Sequence, residues 1–156
     1  MEQNSVYNLL LNKKVSIVVA TCVLGTGINL ASIRSVIHYS ASGSLQHFAQ
    51  ESGQCGHDGQ PAQSIIVTFM DYEKKHRANF DWNSLEPYGY FETGDTNKDT
   101  KRNNEGINGF WNWIKNTDGC LRHQLMVYLD GKGVECLLDD KMANCDNCQK
   151  MDDMAN

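Results

Sequence analysis

Ser35-Val36-Ile37-His38-Tyr39, then Ser44 through Ser52, then Ser64-Ile65-Ile66-Val67-Thr68-Phe69, read in order as strand, helix and strand. β-branched and aromatic residues dominate the outer two segments. In the middle one, Leu45, Phe48 and Ala49 share a face, Ser44 is placed to cap the first turn and Gly53 to end the last. Upstream, Val15-Ser16-Ile17-Val18-Val19-Ala20 is a nearly continuous apolar run, the pattern of a strand buried on both faces. Residues 5–12 precede it as a short amphipathic helix. Strand, crossover, strand, helix, strand is the order of a parallel α/β sheet.

Size and charge narrow the possibilities. The 156 residues suit one ordinary domain or one and a half small ones, and a hydrophobic fraction of 40% is enough for a core. No apolar run approaches the roughly 20 residues of a membrane span. The start Met1-Glu2-Gln3-Asn4 lacks the basic residues of a signal peptide, so the chain is expected inside the cell, in nucleus or cytoplasm, with no membrane partner. The net charge is -5, and all of the deficit falls after residue 75. Nucleic-acid binders that grip the backbone non-specifically carry a basic excess. Any contact with DNA here must therefore rest on a few placed residues.

From Asp71 to Asn108 the periodicity dissolves, and the polar, turn-rich stretch beginning at Thr93 reads as a mobile connector. Phe110-Trp111-Asn112-Trp113 restores hydrophobicity, and Leu121, Leu125, Met126 and Leu129 fall at helical spacing. Four of the six cysteines follow: Cys120, Cys136, Cys145 and Cys148, spaced C-x15-C-x8-C-x2-C. A C-x2-C pair turns two thiolates toward one point, and a tetrahedral Zn²⁺ takes four such ligands. Two disulfides of a secreted domain are the alternative, disfavoured in a reducing compartment. Cys22 and Cys55 are isolated and read as buried or incidental thiols rather than ligands.

In open α/β sheets ligands bind at the carboxyl ends of the strands, and two loops qualify. One is Ala20 to Asn29, whose Gly25 and Gly27 would let backbone amides approach a phosphate. The other is Gln50-Glu51-Ser52-Gly53-Gln54-Cys55-Gly56-His57-Asp58-Gly59.

Together these segments carry a resemblance. Val18-Val19-Ala20-Thr21, Gly25-Thr26-Gly27-Ile28-Asn29 and Gln50 through Ala62 resemble the fifth and sixth motifs of RecQ-family DNA helicases. Val36 to Tyr39 stands between them in matching register, and the four cysteines are similar to the RecQ zinc-binding domain. The likeness covers residues 13–70 well and 115–150 in part. It implies a partial RecA-like sheet, the second lobe of a phosphate-loop helicase, over residues 1–71. A linker over 72–108, a small helical zinc-binding domain over 109–150 and a tail over 151–156 would follow. It implies an ATP-driven 3′-to-5′ unwinding motor, with ATP and Mg²⁺ between two lobes and DNA across them. The corresponding site residues are Gly25, Gly27, Gln50 and Asp58 toward nucleotide or the other lobe, with ordinary loop and cap roles as the alternative. Thr21, Arg34, Arg122 and Lys132 are the candidates for DNA, each with a solvated surface role as its alternative.

The departures are equally specific. The family's sixth motif reads Q-E-x-G-R-x-G-R-D-G, and here Gln54 and His57 occupy the two arginine positions. An arginine finger contributes about 10³–10⁵ in phosphoryl-transfer rate, and neither side chain offers its charged, planar fork. No G-x-x-x-x-G-K-[ST] loop and no D-E-x-H-like site occurs in these 156 residues. The chain is thus expected to be the C-terminal part of a longer helicase, or a gene product decayed to one. It would be inactive alone and would depend on a separate first lobe for ATP. The rival reading is a non-catalytic zinc-dependent module that binds nucleic acid or protein.

Overall fold

The structure, a computed structural model, describes residues 2–20, 30–40, 42–69, 96–138 and 142–155. Helix α1 spans Glu2–Leu11, strand β1 Ser35–Tyr39, helix α2 Leu45–Ser52 and strand β2 Gln63–Val67. Helix α3 follows at Thr96–Lys115, α4 at Leu121–Asp130, a single 3₁₀ turn at Cys136–Leu138 and α5 at Asp146–Ala155.

β1 and β2 pair in parallel, with Ser35 opposite Gln63 and Tyr39 opposite Val67. The strand–helix–strand order expected from the sequence is therefore present, and the pairing is parallel as that order requires. Alternation along the strands sends Val36, His38, Ser64 and Ile66 to one face and Ile37, Tyr39, Ile65 and Val67 to the other. The first face is covered: Ile66 packs against Leu45 and Phe48 of α2. The second is open, with Ile37 62% and Tyr39 76% exposed.

α2 starts where its cap permits. Ser44 is extended, and its hydroxyl accepts from the His47 amide. Gly53 ends the helix by donating its N–H to the Ala49 carbonyl. α1 ends instead on Lys13, whose φ of 52° is left-handed. The Lys14 N–H reaches the Leu9 carbonyl and the Lys13 N–H the Leu10 carbonyl, the paired bonds of a Schellman ending.

The main core joins the two halves of the sequence. Phe110 of α3 is fully buried against Leu45 and Phe48 of α2, with Trp113, Ile114 and Leu125 around it. The Phe48 ring lies 5.9 Å from that of Phe110 and 5.0 Å from that of Trp113. α3 crosses the start of α2 closely: a Cβ on Gly106 would sit 3.1 Å from the Ser44 Cβ and 3.3 Å from the Gly43 carbonyl. Trp113 then donates its indole N–H to the Leu121 carbonyl, tying α3 to the first turn of α4.

Two expectations are corrected. Val15–Ala20 is not a strand: among the described residues it pairs with no β-strand, and Ile17 and Val19 are 84% and 96% exposed. A strand apolar on both sides needs a neighbouring strand and cover on each face, and it meets neither here. The connector also ends earlier than its composition indicated. Residues 70–95 lie outside the described residues, but 96–108 form the first part of the 20-residue α3. Ile107, Phe110, Trp111 and Ile114 recur at helical spacing. Burial of three of these anchors a helix that the polar residues before it would not favour alone.

Candidate metal centre and the Gln50–Gly59 loop

Three elements deliver the four cysteines. Cys120 is the N-cap of α4, its Sγ accepting from the backbone N–H of His123 and of Cys136. Cys136 opens the 3₁₀ turn, and Cys145 stands immediately before α5. Cys148 lies in the first turn of α5 and is 1% exposed. Asn147 locks this arrangement. Its buried amide donates to the carbonyls of Asn116 and Gly119 and so ties α5 to the loop ahead of Cys120.

The four Sγ atoms lie within 4.8 Å of one another, and none of these cysteines is in a disulfide. Cys120 and Cys136 are 3.5 Å apart, Cys145 and Cys120 3.9 Å. A tetrahedron with Zn–S bonds of about 2.3 Å has edges of about 3.8 Å, so the donor set fits zinc in number, softness and spacing. The group can hold a metal ion.

The thiols differ among themselves in their electrostatics. Burial raises the pKa of Cys136 and of Cys148 above the ordinary thiol value. Burial also pushes Cys145 upward, but backbone hydrogen bonds at Cys148, Leu121 and Arg122 outweigh it and bring the thiol down to about 6. Buried thiols without a cation stay protonated, whereas a divalent ion deprotonates its sulfur ligands outright. Arg122, a candidate for DNA, lends its charge to the cluster by favouring the Cys136 thiolate. Lys132 is exposed on the turn after α4.

Two supporting residues went unread in the sequence. Asn147 sits between the C-x2-C cysteines, and an Asn there carries no signal by itself. Gly133 faces a tight wall: a Cβ would lie 2.6 Å from the His123 carbonyl and 3.1 Å from the Met126 Cβ. Only glycine lets the chain return past α4 toward Cys136.

The second candidate region leaves α2 through Gln54 and Cys55. Gln50 is exposed, and the Gln54 amide reaches back to its carbonyl at 3.4 Å. His57 is exposed. Asp58 forms an ion pair with Arg34, one guanidinium nitrogen lying 2.7 Å from each carboxylate oxygen. The Arg34 hydrogen bonds, followed by that from the Gln60 amide, hold the Asp58 pKa below the usual carboxylate range. Arg34 also donates to the carbonyls of Ala31, Ser32 and Pro61. It therefore stitches two loops together, and contact with a DNA phosphate would compete with Asp58. Thr21, Gly25 and Gly27 lie outside the described residues.

A polar network between β1 and α2 was not anticipated. The buried His38 ring places Nδ1 3.1 Å from a Glu51 carboxylate oxygen and Nε2 near the hydroxyls of Ser52 and Ser64. The Ser42 hydroxyl donates to the same Glu51 oxygen. Burial works to raise the Glu51 pKa, but the hydrogen bonds from His38 and Ser42 and the attraction of His38 and His47 together lower it. A histidine at an inward position of an otherwise apolar strand was the available signal.

Comparison with known proteins places this arrangement. Residues 1–59 match the helicase conserved C-terminal domain, which defines the class. The ATP-dependent DNA helicase hus2/rqh1 of Schizosaccharomyces pombe is 30% identical over 129 residues, 82% of this chain and 9% of that protein. The ATP-dependent DNA helicase Q-like 4B of Arabidopsis thaliana is 28% identical over 142 residues, 86% of this chain and 12% of its own length. The bifunctional 3′-5′ exonuclease/ATP-dependent helicase WRN of Mus musculus is 43% identical over 58 residues, 37% of this chain and 4% of that protein. The chain corresponds to a C-terminal region of RecQ-family DNA helicases. It spans about a tenth or less of the length of these relatives. Among the described residues, no helix is long and apolar enough to cross a membrane.

Proposed function

We propose that the chain contributes the second-lobe and zinc-binding portion of a RecQ-like ATP-dependent 3′-to-5′ DNA helicase, for DNA unwinding, recombination and repair, and that it does not hydrolyse ATP alone. The observation that carries this reading is the convergence of four thiols downstream of a parallel strand–helix–strand unit bearing the Gln50–Gly59 loop. Cys120, Cys136, Cys145 and Cys148 would hold Zn²⁺, which supplies folding energy rather than chemistry in a four-sulfur site. ATP and Mg²⁺ would come with a first lobe, since this sequence has no phosphate loop and carries Gln54 and His57 at the arginine positions. Gly25, Gly27, Gln50 and Asp58 would then face nucleotide or the other lobe. Four unpaired thiols suit a reducing compartment, nuclear or cytoplasmic.

The test is turnover. The purified, zinc-loaded chain is expected to show no DNA-stimulated ATPase above background. Steady hydrolysis that survives repurification overturns the assignment of inactivity. A phosphate-loop motif in frame upstream of Met1 in the coding sequence would supply the motor.

A second reading has its own observation. Residues 109–156 carry eight acidic side chains against five basic ones, and four thiolates on Zn²⁺ would add a further charge of -2. Such a surface suits a protein partner better than a phosphate backbone. DNA binding is accordingly expected to be weak. Two or three phosphate contacts from Arg122 and Lys132 and their neighbours give a log–log salt slope of only about -2 to -3. A steep slope would discard the protein-partner reading.

A further inference from the structure

The His38 ring is held at both nitrogens, and its partners fix which one carries the hydrogen. Nδ1 lies 3.1 Å from a carboxylate oxygen of Glu51, and that oxygen also accepts from the Ser42 hydroxyl. A carboxylate only accepts, so Nδ1 is protonated and Nε2 keeps its lone pair. Nε2 faces two hydroxyls, Ser64 at 3.1 Å and Ser52 at 3.2 Å, which lie 2.7 Å from each other. Hydroxyl, imidazole and carboxylate follow one another, each within hydrogen-bond reach of the next. That is the arrangement by which a base and its orienting group activate a serine. His38 is 8% exposed, whereas Ser64 stands at the surface.

We propose that Ser64, His38 and Glu51 form an acyl-transfer site that reacts with small activated carboxylic esters and with organophosphonates. Ser64 rather than Ser52 is the nucleophile. Ser52 is the last residue of α2, and its N–H belongs to the helix ladder. In β2 the Gln63 N–H donates to the Arg34 carbonyl, and successive N–H groups of a strand point to opposite edges. The Ser64 N–H therefore points to the other edge, where no strand pairs among the described residues. It can donate to the oxyanion that forms on an attacked carbonyl. In the reaction the Ser64 Oγ bonds to the ester carbonyl carbon while its proton passes to His38 Nε2. The C–O bond to the alcohol then breaks, and Nε2 returns the proton to the leaving oxygen. Water adds to the acyl-serine by the same route, releasing the carboxylic acid and restoring Ser64. Glu51 is a positioning residue: it holds the ring and offsets the charge of the imidazolium. Ser52 orients the Ser64 oxygen. One oxyanion donor suits an ester with a good leaving group, such as an aryl acetate, rather than an amide.

An alkyl fluorophosphonate added to the full zinc-loaded chain tests this, since the Ser64 oxygen would bond to phosphorus as fluoride leaves. One phosphonyl group per chain is expected, on Ser64 by peptide mass mapping. The chain should also hydrolyse 4-nitrophenyl acetate and lose that activity on labelling. Ser64→Ala should abolish both; its position is exposed, so its result stands whether or not the buried variants fold. His38→Gln keeps a hydrogen-bonding side chain but supplies no base, and should slow labelling by about 10²-fold or more. An unlabelled unmodified chain overturns the proposal. So does a label on Ser32 or Ser35, exposed serines with no imidazole beside them in the network above. Labelling of Ser64 at an unchanged rate in His38→Gln overturns it as well.

Discussion

The metal-site region and the sheet region solve the same problem, too little core, in opposite ways. Around residues 116–155 the helices are short and bury little: α4 has no fully buried side chain, and Val127, Tyr128 and Leu129 are 40–48% exposed. Order there rests on convergence of four thiols, the Asn147 clasp and the tight turn at Gly133. The sheet region has ample apolar surface but leaves one face of it open. A small unit that cannot bury enough can be held by a metal, whereas a sheet can be held only by more chain. Phe110 and Trp113 sit between the two regions, and variants that break or sharpen the contrast centre on them and on the cysteines.

The largest effect should come from the metal ligands. Cys148→Ser is expected to abolish binding of one zinc ion per chain and to melt α4 and α5 together, because much of their stability is metal-binding free energy. Metal analysis alongside far-ultraviolet circular dichroism reads both. A folded, metal-free C-terminal region would remove the contrast drawn above. Next is Phe110→Ala, which empties the shared core at a cost of about 3–5 kcal/mol and should destabilise both regions in one denaturation transition. Two separate transitions in the unmodified chain would mean the halves are independent. Ser44→Ala removes the cap of α2, about 1 kcal/mol, and should be felt by the sheet region but not by zinc affinity.

The smallest effect is a pH dependence confined to the Gln50–Gly59 loop. The folded-state pKa of Asp58 is depressed by Arg34. Its contribution is therefore present above the unfolded carboxylate value of about 3.9 and is lost as pH falls through the lower folded value. Nuclear magnetic resonance of the Gly59 and Gln60 amides should show the loop loosening only in that acidic window. Arg34→Gln should remove the dependence while leaving the metal site untouched.

Legibility followed the range of the interactions. β1 and the Ser44 cap could be read directly, because alternation and capping are local rules. The cysteine cluster was legible from spacing alone, since the C-x2-C pair fixes two ligands before any fold is known. α3 was missed over 96–108 because its anchor, Phe110 on α2, is a contact between residues more than 60 apart. Val15–Ala20 was read as a buried strand from a pattern that describes what the segment requires, not what the described residues give it. His38 and Glu51 find each other only once β1 and α2 are stacked, so neither could be recognised as half of a pair.

Trp113 touches both solutions at once: its ring lies 5.0 Å from that of Phe48, and its N–H donates to the Leu121 carbonyl one residue after Cys120. An indole so placed makes the two regions optically inseparable. Its fluorescence will register loss of the metal as a change in the aromatic core of α2, and a disturbance of α2 as a change beside the thiols.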